Sequence, residues 1–138
     1  MRYLGLDLGS KTLGVAISDK MGLIARNVKI IRHNEEYNLL ITEIKKIVDE
    51  EKVDAIVLGY PKNMNNTIGE KAKLSEKFKE EIEQQLKIPV YLQDERLTTK
   101  QATDILISNN TSRKKRKKVI DSMAATIILQ SFLDRKGI

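Results

Sequence analysis

Apolar residues alternate with others at the start of the chain: Leu4, Leu6 and Leu8 interleave with Tyr3, Gly5 and Asp7, and Gly9 closes the run. A short run of period two ended by glycine predicts a strand at the centre of a sheet. Gly9-Ser-Lys-Thr-Leu-Gly14 reads as a turn and Val15-Ala-Ile-Ser18 as a returning antiparallel strand. After a second turn at Asp19-Lys-Met-Gly22, Leu23 to Ile31 supplies a third strand and completes a meander. The period then changes. Tyr37, Leu40, Ile41, Ile44 and Ile47 or Val48 follow helical spacing, with Asn34 as N-cap and Glu35 and Glu36 in the first turn.

Ala55-Ile-Val-Leu-Gly-Tyr60 is a continuous apolar run suited to a strand covered on both faces. Beyond a polar loop from Pro61 to Gly69, Ala72, Phe78, Ile82 and Leu86 mark one face of a second helix, and Val90-Tyr-Leu-Gln93 forms a fifth strand. Thr98 and Gln101 have capping-box spacing for a third helix carrying Ala102, Ile105 and Leu106; a last helix spans Val119 to Asp134. The pattern predicts an α/β fold on a five-stranded mixed sheet, the first three strands an antiparallel meander, the fourth and fifth parallel to the first, with helices on both faces. With 138 residues, 41% of them hydrophobic, and no linker or repeat, residues 1–138 are expected to form a single domain.

Parallel strands end on one edge, where open α/β sheets bind ligands, so Asp7, the Pro61 to Gly69 loop and Asp94-Glu95 are expected to converge there. In the last helix Asp121, Ala124, Ala125 and Ile128 share one face, which turns Asp121 towards the core side, and the alanines permit close approach to the sheet. Taken singly, each acid has an ordinary role. Asp7 closes a turn, Asp94 sits in a turn, Glu95 pairs with Arg96, and Asp121 is a first-turn acid favoured by the helix dipole. Taken together they form a candidate acidic cluster, and a divalent cation is the simplest way to keep such a cluster ionised.

The composition narrows the chemistry. Without Cys, and with His33 as the single histidine, disulfides, Cys-based zinc sites and Cys-His nucleophiles are excluded. His33 lies in the polar stretch Arg32-His-Asn-Glu-Glu36 and reads as a solvated loop residue. Strong chemistry then falls to carboxylates, Lys, or a metal held by oxygen ligands, and two Mg²⁺ or Mn²⁺ ions can hold the attacking water and leaving oxygen of a phosphodiester without His or Cys. The charge is local: Arg113, Lys114, Lys115, Arg116, Lys117 and Lys118 are six of 25 basic residues, and the other 19 equal the 19 acids, so the net +6 is this run. Such a block suits a phosphate backbone, with a solvated loop as the competing reading. An aromatic content of 4% favours backbone or shape recognition over base stacking.

Four segments carry a more specific signal: Gly5-Leu-Asp-Leu-Gly-Ser-Lys-Thr-Leu-Gly-Val-Ala-Ile-Ser-Asp19, Leu58-Gly-Tyr-Pro-Lys-Asn-Met64, Asp94-Glu-Arg-Leu-Thr-Thr99 and Lys118-Val-Ile-Asp-Ser-Met-Ala-Ala-Thr-Ile-Ile-Leu-Gln130. In order, and over nearly the whole chain, they resemble the YqgF family, also called RuvX. The resemblance implies an RNase H-like fold related to the RuvC Holliday-junction resolvases, in a family described both as resolvases and as the nuclease that matures the 5′ end of pre-16S ribosomal RNA. By motif position it implies Asp7, Glu95 and Asp121 as ligands of Mg²⁺ or Mn²⁺, and these with Asp94 as the catalytic acids. Glu95 is preferred to Asp94 as the ligand, because successive strand residues point to opposite faces and the longer side chain reaches further. One departure stands out. Family members usually have Asn-Met-Asp-Gly where this chain has Asn63-Met-Asn-Asn66, so the loop lacks an acid at position 65 and a glycine at position 66.

The expected function is therefore a divalent-metal-dependent endonuclease acting on structured RNA, the ribosomal RNA precursor above all, with the small-subunit precursor as partner. Arg113 to Lys118 would hold the backbone, with Lys11, Asn63 and Arg96 nearer the scissile phosphate. A Holliday-junction resolvase acting on branched DNA would use the same acids in a dimer. A non-catalytic RNA- or ribosome-associated factor would keep the basic run and tolerate loss of Asp7. An actin-like ATPase shares the first motif but holds nucleotide between two such domains. No apolar run approaches a membrane span, and the N-terminus lacks the pattern of a signal peptide, so a cytoplasmic location is expected.

Overall fold

Tyr3–Leu8 forms the first strand, β1, of a computed structural model that describes residues 1–61, 69–94 and 113–136, with only the backbone course for 113–122 and 136. Thr12–Ser18 (β2) and Ala25–Arg32 (β3) follow antiparallel, while Ala55–Tyr60 (β4) and Val90–Asp94 (β5) extend the sheet in parallel from β1. The order β3-β2-β1-β4-β5 puts β1 at the centre, as its apolar alternation predicts.

Two helices, Tyr37–Glu51 (α1) and Glu70–Leu86 (α2), cover one face. There Leu4, Leu6, Val15, Ile17, Ile56 and Leu58 of the sheet pack with Leu40, Ile41, Ile44, Phe78 and Ile82 of the helices. The last helix, Arg113–Lys136 (α3), covers the other face, where Tyr3, Ala16, Ala55 and Val57 meet Ala125, Ile128, Leu129 and Leu133. Each fully buried Leu or Ile contributes about 1.5–3 kcal/mol, so both faces help hold β1 in place. The helix expected to begin near Thr98 lies outside the described residues.

Two strand starts differ from the sequence expectation, each for a local reason. Strand β2 begins at Thr12 rather than Val15, because the Gly9 N–H donates to the Thr12 carbonyl at 2.8 Å and closes a shorter turn. Gly14, read as turn, pairs opposite Asp7 within the ladder. Strand β3 begins at Ala25 because the Leu23 and Ile24 N–H groups donate to the Asp19 carboxylate, at 2.7 and 3.0 Å. Those bonds hold the Asp19 carboxyl below its ordinary range, the one from Ile24 most.

Helix α1 starts at Tyr37, not after an Asn34 cap, and Glu36 at the cap position makes no side-chain cap bond. The Glu35 N–H instead donates to His33 Nδ1 at 3.0 Å, with Glu35 at φ 64°, so residues 33–35 form a bend before the helix. Helix α3 extends back through the whole basic run to Arg113. Lys and Arg are good helix formers and no Gly or Pro interrupts them, although cations at a helix N-terminus oppose the dipole.

Candidate active site

Asp7 is the fifth of six residues in β1 and stands half-buried on the face covered by α3. Tyr3 of the same alternation packs in the core beneath α3, and Gly5 lies against Leu129 and Ala125. Across the hairpin Asp7 pairs with Gly14. In the other direction Leu6 pairs with Leu58, so continuing the register by one residue sets Asp7 level with Gly59, and Gly59 pairs with Gln93. The row Gly14, Asp7, Gly59, Gln93 thus places a glycine on each side of the carboxylate. A Cβ built at Gly14 would lie 3.6 Å from the Asp7 Cβ and 3.4 Å from the Ala125 Cβ. The missing side chain leaves space beside Asp7 that a cation or phosphate oxygen could enter.

Gly5 sets how near α3 comes. A Cβ there would fall 2.7 Å from the Leu129 Cβ and 3.0 Å from the Ala125 carbonyl oxygen, so the helix backbone rests almost directly on β1. From Leu129 through Ala125, one more turn back along α3 reaches the backbone of Asp121, towards the edge where Asp7 stands. The alanine expected to allow close approach does so at Ala125, and the complementary space on the sheet comes from Gly5 and Gly14.

The other expected residues divide by position. Lys11 is exposed in the turn that follows Asp7. Asp94 ends β5 and is half-buried; Tyr91 stacks on Phe132 of α3 at 5.5 Å, so Tyr91 and Gln93 face α3, whereas Val90, Leu92 and Asp94 fall on the opposite face from Asp7. Glu95, Arg96 and Asn63 lie outside the described residues. Arg113, Lys114, Lys115, Arg116, Lys117 and Lys118 occupy the N-terminal turns of α3.

His33 is not a solvated loop residue. Its half-buried ring sets Nε2 3.0 Å from the Gly9 carbonyl oxygen, and Nδ1 accepts from the Glu35 N–H at 3.0 Å. The His33 N–H also donates to the Lys11 carbonyl at 2.9 Å. His33 therefore clamps the turn that follows Asp7, and the nearest hint in the sequence is a lone histidine between the third strand and the first helix. Arg32 was also missed. Paired with Thr12, it is exposed on the α3 face of β3, on the same side of the sheet as Asp7.

At the end of β4, Tyr60 donates to Glu76 of α2 at 2.5 Å; this bond, followed by burial, raises the phenol above its ordinary range. The bond ties the strand leading into the 61–69 loop to α2.

The donors suit a hard cation. Carboxylates such as Asp7 are the ligands Mg²⁺ and Mn²⁺ prefer, and on the same row Gln93 Oε1 is buried with no hydrogen-bond partner among the described residues. Among the described residues no three His, Asp or Glu side chains come together as a metal site. Of the expected ligands, the Glu95 residue and the Asp121 side chain fall outside that description.

Comparison with known proteins agrees with this architecture. A structure of Thermus thermophilus RuvC in complex with Holliday junction substrate aligns with TM-score 0.61 at 14% identity, covering 99% of this chain and 96% of that one. The yeast mitochondrial Holliday junction resolvase aligns with TM-score 0.54 at 14% identity, covering 95% and 77%. The fold is thus that of the RuvC-like, RNase H-like class, as the motifs implied. At the sequence level, the family described as "RuvX: Holliday junction resolvase" matches residues 1–135. A protein of Geobacillus sp. (strain WCH70) is 52% identical over 99% of both chains, and one of Bacillus licheniformis 51% identical over 97% of both; each is named "Putative pre-16S rRNA nuclease". The chain belongs to the RuvX family.

Proposed function

We propose that this protein is a divalent-metal-dependent endonuclease that cleaves phosphodiester bonds in structured RNA, at the 5′ end of the 16S ribosomal RNA precursor. The observation that carries the proposal is the Asp7 carboxylate between Gly14 and Gly59, one strand-width from each, beneath the helix that bears Asp121. Full-length identity of about half to relatives named as pre-16S nucleases supports RNA as the substrate and the small-subunit precursor as the partner. No described helix is long and apolar enough to cross a membrane, in keeping with work on ribosomal precursors in the cytoplasm.

In this reading Asp7, Glu95 and Asp121 would hold Mg²⁺ or Mn²⁺; Asp94, expected among the catalytic acids, ends a strand two removed from β1, on the opposite face of the sheet, and stands outside that set. When bound, the metal lowers the pKa of water and offsets charge on the phosphate oxygens. The chain's own part is positional. The row of glycines admits the scissile phosphate, Lys11 and Arg96 neutralise its neighbours, and Asn63 with its amide-rich loop contacts the backbone. Arg113, Lys114, Lys115, Arg116, Lys117 and Lys118 hold the duplex or strand at a distance from the reacting atoms.

The test compares wild type and Asp7→Asn on a pre-16S 5′-leader RNA and a DNA four-way junction, with Mg²⁺ and with Mn²⁺. Metal-dependent cutting of the RNA, abolished in the variant, is the expected result. Paired symmetric cuts in the junction, with the RNA left intact, would replace the substrate by branched DNA, the reading suggested by the family's description. RNA binding without cleavage in either protein would make the chain a binding factor and Asp7 structural.

A further inference from the structure

Gln93 is the one strongly polar side chain that the sheet buries on the row of Asp7. It is 8% exposed, and its Oε1 is fully buried without a hydrogen-bond partner. Buried amide groups almost always find partners, because removal from water is costly when nothing replaces it. A side chain such as Leu or Met would fill this position of β5 without that cost. The unpaired oxygen therefore points to a partner that the described residues do not supply.

Its placement says what that is. Tyr91 stacks on Phe132, so Gln93, two residues on, faces α3 as Asp7 does. Gly59 lies between them and contributes no side chain. Neighbouring strands are about 4.8 Å apart, so two strand steps separate the Cα atoms of Asp7 and Gln93 by about 9.6 Å. A carboxylate-to-cation bond of about 2.1 Å, a cation-to-water bond of about 2.1 Å and a hydrogen bond of about 2.8 Å together span roughly 7 Å, which bridges that gap once the two side chains lean towards each other above Gly59. Direct ligation by both residues would need a much shorter separation.

We infer that Gln93 is a positioning residue of the Asp7 site: its Oε1 accepts a hydrogen bond from a water bound to the divalent cation and fixes that water's orientation. The inference rests on the reading above that Asp7 holds such a cation. Outer partners of this kind tune metal affinity without touching the ion.

The experiment measures Mn²⁺ binding to the full chain by calorimetry, and melting without metal, for wild type, Asp7→Asn, Gln93→Met and Gln93→Glu. Asp7→Asn is expected to abolish binding. Gln93→Met should weaken it about 10- to 100-fold while leaving the metal-free melting temperature unchanged or higher. Gln93→Glu, which keeps the acceptor at the same reach, should bind at least as tightly as wild type. Wild-type affinity in Gln93→Met overturns the role of Gln93 alone. Weakened binding by Gln93→Glu overturns it too, and remains decisive if the Met variant fails to fold. Absence of Mn²⁺ binding by wild type overturns the cation reading and the Gln93 role with it.

Discussion

Replacing Gly5 by alanine tests whether the seating of α3 governs the site. The new Cβ would meet the Leu129 Cβ at 2.7 Å and the Ala125 carbonyl oxygen at 3.0 Å, whereas carbon atoms rest about 3.5–4.0 Å apart. Both obstacles belong to the helix backbone or the root of a side chain, so no rotamer change relieves them and α3 must retreat by about 1 Å. Gly5 is not at positive φ, and alanine is favoured over glycine within a strand by about 0.5–1 kcal/mol, which offsets part of the overpacking cost of about 1–3 kcal/mol. The net loss is about 1–2 kcal/mol. For a chain of 138 residues this lowers the melting temperature by about 3–8 °C.

The effect on cleavage should be larger than the effect on stability, because a shift of about 1 Å in a reacting constellation can cost about 100-fold in rate, and Asp121 rides on the displaced helix. The assay is thermal unfolding by circular dichroism together with metal-dependent cleavage well below both melting temperatures. Gly14→Ala is the comparison: its Cβ would sit at 3.4 and 3.6 Å from Ala125 and Asp7, leaving α3 seated while filling space beside the carboxylate. Wild-type melting and cleavage for Gly5→Ala would refute the reasoning. So would lost stability with undiminished cleavage, since the helix position would then not set the site.

Three other results are expected. The Lys79 ammonium donates to Glu83 at 3.0 Å, and this bond leads in holding the Glu83 carboxyl below its ordinary 4.5, against burial and helped by the Val90 N–H at 3.2 Å. The lowered pKa contributes stability above pH 4.5 that is lost as pH falls through the folded value. Because the pair is about a third exposed the contribution is below about 1 kcal/mol, and acid titration of unfolding should show Glu83→Gln losing less stability than wild type. His33→Ala removes two hydrogen bonds worth about 0.5–1.5 kcal/mol each, and hydrogen exchange should accelerate at residues 9–12; unchanged exchange there would show that His33 does not clamp the turn. Replacing all six residues from Arg113 to Lys118 by serine should flatten the dependence of log affinity on log salt by about 5 on duplex and about 4 on single-stranded nucleic acid, and an unaltered slope would remove the basic run from the interface.

Local pattern alone determined much of this protein. The period-two run at Leu4, Leu6 and Leu8, the continuous apolar stretch Ala55–Tyr60 and the helical spacing from Tyr37 gave the elements and their buried faces, because each repeat reports on a single segment. Four motifs in order gave the family, and Asp7 stood out as a carboxylate inside an apolar strand. What depended on register between distant segments was decided only by tertiary structure. The row Gly14, Asp7, Gly59, Gln93 joins four strands, and no local repeat specifies which residues of separate strands lie level. The fit of Ala125 and Leu129 onto Gly5 is likewise a matter of shape between a first strand and a last helix. His33 gained its role from the carbonyl of Gly9, 24 residues away, which brought a ring that reads as solvated into the support of the turn beside Asp7.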